Sequence, residues 1–314
     1  MNKFAVATLL ASVFAASGDF NYLYNGADWG QSVPLCDTGK YQSPIDLPPT
    51  SQPMDRSKDL KIEGGNYDNY SSQIANYGST IKVTTGSGDY HLTSYDGFTY
   101  PFEFAQFHMH APSEHTRDGR LYDLEMHFVH VIDKDSTAIQ VEDRDHQDSA
   151  DYAVIGVFFD RIEGGNRTND FLEQLNVTED RTVTGNQPVS FLYVADFLAS
   201  LNYEGFYHYD GSFTTPPCTE GVKWVVLNQV QPISDEQLSK FTERWAGYYN
   251  FAHGNGNNRM IQPLNDRTIY YSGASALAAS MIGALALTQL FWLKSTRNLF
   301  DFMKIFVMIV SKQI

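Results

Sequence analysis

Basic residues are scarce in this chain. Lysine and arginine number 22 against 37 aspartates and glutamates in 314 residues, a formal net charge of −15. Nucleic-acid binding needs a basic face, so that class of function is excluded; the balance says nothing about fold. Cysteine is nearly absent. Cys36 and Cys218 are the whole complement. An oxidising compartment would let them pair and close a long loop, and a reducing one would leave two unrelated thiols. No His-Glu-x-x-His occurs, which excludes zinc proteases of that type. Between about residues 19 and 271 there is no linker, repeat or low-complexity tract. What is present suits one globular domain: 42% of the residues are apolar, 14% are aromatic and 19% are charged.

The two ends differ from the middle. Lys3 followed by "FAVATLLASVFAA", with small Ala15 and Ser17, predicts a signal peptide over 1–17. Sequons at Asn69, Asn166 and Asn176 are glycosylation candidates. Residues 274–293 carry no charge and have the length of a membrane span, with Lys294 and Arg297 directly after. That pattern predicts a transmembrane helix over 274–293 and a short cytoplasmic tail over 294–314. Ser272, Gly273 and Ala274 are small enough for a lipid-anchor attachment site, but a further 21 residues follow the apolar stretch, which fits an anchor signal less well. The expected location is the secretory pathway, with the domain secreted or held on the extracellular face of a membrane through the C-terminal segment.

The middle, 18–271, reads as a single mainly β domain on a large, mostly antiparallel central sheet with a few short peripheral helices. "STIKVTT", "DYHLTSY", "FEFAQFHMH", "DLEMHFVHVI", "YAVIGVFFD", "VSFLYVADFL" and "VKWVVLNQV" are rich in strand-forming residues, and several alternate with period two. Ser234 with Gln237 forms a capping box before "LSKFTERWA", which predicts a helix. A shorter helix is expected over 169–175.

Three of nine histidines fall within "QFHMHAPSEHT". His108 and His110 are two apart in an expected strand, so both side chains project to one face. A polar turn around 117–120 leads into the next strand, which would bring His127 beside them. Three neutral imidazoles suit zinc, and a fourth position left to water makes such a site catalytic. Gln106 and Glu125 each lie two before a histidine and share its face. Each is placed to accept the spare ring N–H, as partners of metal-bound histidines do. His115 and His130 fall out of phase and are read as structural. His108, His110 and Glu114 also match the first motif of cupin β-barrels, but no second cupin motif follows.

With these pieces in place, the chain resembles the α-class carbonic anhydrases. "FNY…NGADWG", "QSPIDL", "QFHMH", "SEHT", "LEMHFVH", "GSFTTPPC", "VKWVVLN" and "NNRMIQPLNDR" occur in the family's order over nearly all of 20–271. The resemblance implies zinc on His108, His110 and His127, with Gln106, Glu125 and the Asn257 carbonyl behind them. It implies that Thr214 donates to Glu114 and orients the nucleophile toward carbon dioxide. Val129, Val154, Phe213, Val222 and Trp224 match the apolar wall where carbon dioxide rests, and Thr215 matches a bicarbonate-holding residue. Phe213 stands where leucine is most usual. Tyr22 matches a tyrosine that orders the water chain. Cys36 and Cys218 match the disulfide of secreted members. The expected ligands are carbon dioxide and bicarbonate, with sulfonamide- and anion-type inhibitors. One departure is clear: Ser79 occupies the position where fast members carry a histidine proton shuttle, and Tyr77 and His91 are the nearest other candidates in sequence. A non-catalytic binding module of the same family is the competing reading. Such members have lost a zinc ligand, and none is lost here.

Overall fold

The computed structural model describes residues 20–49, 61–64, 72–76, 80–85, 90–93, 102–132, 151–175, 186–189, 192–246, 252 and 256–272. The expected signal peptide, the 274–293 segment and its tail, Asn69, Asn176, Tyr77 and Ser79 lie outside them, as does the side chain of His91. Contacts group 1–49 and 54–273 into one unit, which holds every described residue. Among the described residues no helix is long and apolar enough to cross a membrane.

Thirteen strands are described: β1 (Asp46–Leu47), β2 (Lys61–Gly64), β3 (Ser72–Asn76), β4 (Ile81–Thr85), β5 (Tyr90–Thr93), β6 (Phe102–His110), β7 (Thr116–Arg117), β8 (Leu124–Ile132), β9 (Tyr152–Phe159), β10 (Asn186–Val189), β11 (Phe206–Ser212), β12 (Glu220–Gln231) and β13 (Tyr270–Ser272). Eleven of them form one sheet in the order β10-β3-β4-β6-β8-β9-β12-β11-β13, with β2 joined through β5 to β6. Within it the β9–β12 pair is parallel and the other pairs are antiparallel. The expectation of a large, mostly antiparallel sheet with short helices is met.

The centre of the sheet is buried on both faces. Along β6 and β8 one face sends Phe107, Met109, Met126 and Phe128, each 0% exposed, into the larger apolar core. Burying one such side chain stabilises by about 1.5–3 kcal/mol. A second core on the other face gathers Val129, Val154, Tyr209, Phe213, Val222 and Trp224. A third, smaller cluster joins Tyr22, Trp29, Cys36 and Cys218.

The helix after Ser234 forms over Asp235–Ala246, and the Ser234 hydroxyl accepts from Gln237 N at 3.1 Å. The short helix covers Asp170–Gln174, capped by the Asn169 side chain. One expectation fails. "VSFLYVADFL" is not a strand: only Val189 ends β10, and Val194–Ser200 is a helix. Its buried Val194, Ala195, Phe197 and Leu198 follow helical spacing, and this short run of apolar residues carried no local mark to separate the two periods.

Candidate metal centre

Strand pairing brings the three histidines together. His108 lies directly opposite His127, and His110 opposite Glu125, across β6 and β8. The ring centroids are 5.1 Å apart for His108–His110, 5.2 Å for His108–His127 and 4.7 Å for His110–His127. All three are buried. Gly156 faces His127 from β9, and a Cβ there would come to 3.0 Å from Glu125 Oε1. A residue without a side chain keeps that space for the carboxylate.

Each ring is held by one nitrogen. His108 Nδ1 donates to Gln106 Oε1 at 3.0 Å, and His110 Nδ1 to the Asn257 carbonyl at 2.8 Å. His127 Nε2 donates to Glu125 Oε1 at 2.9 Å. One ligand atom from each histidine lies within 4.8 Å of the others. His110 Nε2 and His127 Nδ1 are buried without a hydrogen-bond partner. A buried polar atom left so costs about 1–3 kcal/mol, and a divalent cation removes the cost for both at once. Burial pushes the His110 ring down to about 3 and holds His108 and His127 below the usual histidine range, with repulsion among the rings adding to it. The rings are therefore neutral near pH 7, as ligands must be. Three nitrogens in this geometry fit a tetrahedral zinc with one open position.

Glu125 is the most heavily used group behind the centre. Its Oε2 accepts from the backbone N–H of Glu114 and of His115, both at 2.9 Å. Its Oε1 accepts from His127 and also from His115 Nδ1 at 2.7 Å. Burial raises this carboxyl, but the two imidazoles and their hydrogen bonds outweigh it and hold it well below the usual range. His115 is thus structural, as its phase implied; its other nitrogen lies 2.7 Å from the Tyr209 hydroxyl. His130, on the opposite face, bonds the Phe128 carbonyl and packs edge-on against Phe104.

Glu114 is fully buried, with Oε2 3.4 Å from His110 Nε2 and 3.8 Å from His127 Nδ1. Its Oε1 accepts from the Arg259 backbone N–H at 2.9 Å. Burial drives its carboxyl well above the usual range, while a hydrogen bond from Thr214 and that of Arg259 pull the other way. A cation among the histidines would also favour the ionised form. Thr214 is 4% exposed and sits in a loop closed by Phe213 N–H to the Thr219 carbonyl and Cys218 N–H to the Thr215 carbonyl, both at 2.9 Å. The disulfide is formed between Cys36 and Cys218 and fastens that loop to the N-terminal segment.

The other expected residues among those described lie as follows. Val129, Val154, Phe213, Val222 and Trp224 share one apolar cluster. Trp224 packs 4.7 Å from the His127 ring, and Phe213 4.7 Å from Tyr152. Thr215 is half-buried in the same loop. Tyr22 is buried against Trp29, and burial together with the nearby Glu114 charge raises its hydroxyl well above the ordinary value. Asn166 is exposed, and its side chain bonds Asp235 at 2.7 Å.

Sequence reasoning missed several residues. Asn257 does more than offer its carbonyl: its side chain accepts from Ala111 N at 2.8 Å and donates to the Met109 carbonyl at 2.9 Å, locking the end of β6. Gly256, at φ +88°, lets it approach, since a Cβ would strike the Ala111 carbonyl. The Arg259 guanidinium is buried and donates to the carbonyls of Cys36 and Ser43, both at 2.7 Å, and to Gln42 at 3.0 Å. Tyr209 and Ser43 continue the chain behind His115, their hydroxyls 2.9 Å apart. A buried arginine in "NNRMIQPLNDR" and a tyrosine in "FYHYDGS" were the available signals, and neither names its partner.

Residues 24–273 match the family model described as eukaryotic-type carbonic anhydrase. A carbonic anhydrase of Pectobacterium atrosepticum is 32% identical over 278 residues, covering 86% of this chain and 99% of that protein. The structure of a hyperthermostable carbonic anhydrase from an active hydrothermal vent chimney superposes with a TM-score of 0.59 at 33% identity, covering 78% of this chain and 95% of the other. The α-carbonic anhydrase of Thermovibrio ammonificans, solved with the inhibitor sulfanilamide, gives 0.60 at 31% identity over 81% of this chain and all (100%) of the other.

Proposed function

The chain belongs to the eukaryotic-type, α-class carbonic anhydrase family and is a zinc lyase that hydrates carbon dioxide; on that premise we propose that His108, His110 and His127 hold the metal while Thr214 and Glu114 aim the nucleophile. The observation that carries this is the pair of buried, unpartnered ring nitrogens, His110 Nε2 and His127 Nδ1, converging beside Glu114 Oε2. Zinc held by three imidazoles supplies a Lewis acid that lowers the pKa of its water to about 7, a figure that comes from carbonic anhydrase itself.

The protein's own groups do the rest. Gln106, Glu125 and the Asn257 carbonyl fix which nitrogen of each ring faces the centre. Glu114 accepts from Thr214, which leaves the threonine oxygen's lone pairs to accept from the attacking group and set its direction. The apolar wall of Val129, Val154, Phe213, Val222 and Trp224 holds carbon dioxide and excludes competing water, and Thr215 assists in holding bicarbonate. Sulfonamides and small anions act as inhibitors at the same place. Cupin-type chemistry has no support from the family, and a non-catalytic role is disfavoured because the ligands, Glu114 and Thr214 are all present.

Each turnover also releases a proton. With Ser79 at the usual histidine position, no group there titrates near neutral pH; Tyr titrates near 10 and makes a poor substitute at 77. Proton export therefore limits the maximal rate. The sequence pattern at 1–17 and 274–293 supports a domain delivered through the secretory pathway and tethered at the extracellular face of a membrane. The reading is tested by stopped-flow hydration on the purified protein before and after zinc removal. Activity must vanish with chelation and return with zinc; activity that survives complete metal removal overturns it.

A further inference from the structure

One buried charge on the metal face has no place in the mechanism above. Lys82, on β4, lies directly opposite His108 on β6. Directly opposed residues of an antiparallel pair project to the same face, with Cβ atoms about 4.5–5.5 Å apart. Its chain neighbours Ile81 and Val83 point the other way, into the larger core. The register is pinned at the start of β4: the Thr80 hydroxyl donates to the Met109 carbonyl at 2.6 Å and accepts from Met109 N at 3.2 Å. Lysine is rarely so buried, yet Lys82 is 9% exposed.

The surrounding protein makes that charge matter. At a formal net charge of −15, the molecule as a whole repels anions. The product of the proposed reaction is an anion, and so are many ligands that approach such a centre. A cation held in a partly desolvated wall acts on an oxyanion more strongly than one in open water.

We propose that Lys82 is an oxyanion-recognition residue of the metal pocket, holding a carboxylate-class anion, either the bicarbonate product or the acidic arm of a metal-directed ligand, beside the histidine centre. The proposal rests on the metal-site reading given above.

Calorimetry on the zinc-loaded full chain at pH 7 tests it with three probes: benzenesulfonamide, its 3- and 4-carboxylated forms, and bicarbonate in competition with the neutral compound. In Lys82→Met the preference for the better carboxylated probe over the neutral one should fall by about tenfold, the size of a partly screened charge pair. Binding of benzenesulfonamide itself should stay within about twofold. Lys82→Arg keeps the charge and should keep the preference. A matching loss for bicarbonate identifies the product as the natural anion; a loss confined to the carboxylated probes points to a ligand arm instead. An unchanged preference in Lys82→Met overturns the proposal, as does an equal loss for charged and neutral probes, which would mean that Lys82 only packs. If benzenesulfonamide fails to bind the wild type, the metal-site reading fails and takes the proposal with it.

Discussion

The two faces of β6 and β8 are equally buried and chemically opposite. Phe107, Met109, Met126 and Phe128 fill one side; Gln106, His108, His110, Glu125 and His127 fill the other, all at 9% exposure or less. The apolar face needs only shape, because water is simply excluded from it. The polar face needs a partner for every donor and acceptor, because each one unmet costs free energy. Its partners come from Asn257, His115 and the backbone of 114–115; Gln106 Nε2 and the ring nitrogens of His110 and His127 stay unmet, and the two ring nitrogens converge beside Glu114 Oε2, which suits the proposed metal. Burial is thus shared by core and site, and only the hydrogen-bond accounting tells them apart.

The widest split between the faces should come from truncating one residue on each. Alanine at His108, His110 or His127 should abolish hydration and bound zinc while leaving a folded chain. Phe128→Ala on the apolar side should cost about 3–5 kcal/mol of stability yet keep stoichiometric zinc below its melting point. Metal analysis and thermal denaturation of both sets decide it; full activity in any ligand variant would sink the zinc assignment.

A finer cut stays within the polar face. Thr214→Val keeps the volume and removes the hydroxyl, so zinc content should hold while kcat/KM falls at least about tenfold, the usual scale for losing orientation of a reacting group. An unchanged rate would reduce the threonine to a loop residue.

Acid should separate the faces without any mutation. In the metal-free protein the His110 ring is held at about 3, whereas an unfolded histidine titrates near 6.5. The unfolded chain then binds the proton first, and stability rises with pH wherever that is so. Stability of the apoprotein should therefore fall as pH drops from about 6.5 toward about 3 and level off below; His127, lowered by burial, adds the same sign. Urea midpoints at pH 7, 5.5 and 4.5 measure this, and a flat series would show that the rings are not buried neutral.

The smallest effect is expected at position 79. Ser79→His should raise the maximal rate at low buffer by severalfold and leave kcat/KM nearly constant. In the wild type, imidazole-type buffers should do the same. High turnover that ignores buffer in the wild type would reveal another relay.

Some of this was written along the chain. Strand side chains alternate between faces by geometry alone, so "QFHMH" and "LEMHFVH" pointed to three converging histidines and to the acceptors behind two of them before any fold was known. The apolar stretch before Ser200 misled for the same reason in reverse: a short buried run has no distinctive period, and helix packing chose for it. The resemblance to the family placed Glu114, Thr214, the apolar wall and the disulfide, which no local pattern could join.

What remained belonged to tertiary structure. Asn257 meets His110 across 147 positions, and Arg259 meets Glu114 across 145. Both contacts are made through backbone groups, and a backbone carbonyl or N–H is the same for every residue that has one. No side-chain code can announce which of them will face the site; that is set only when the 256–259 segment closes against β6. The sequence by itself determined a mainly β domain and the three histidines that converge on one face. Tertiary closure decided which nitrogen of His110 is held, how Glu114 is fixed and where Lys82's charge falls, because those depend on groups far apart in the chain sharing one dry space.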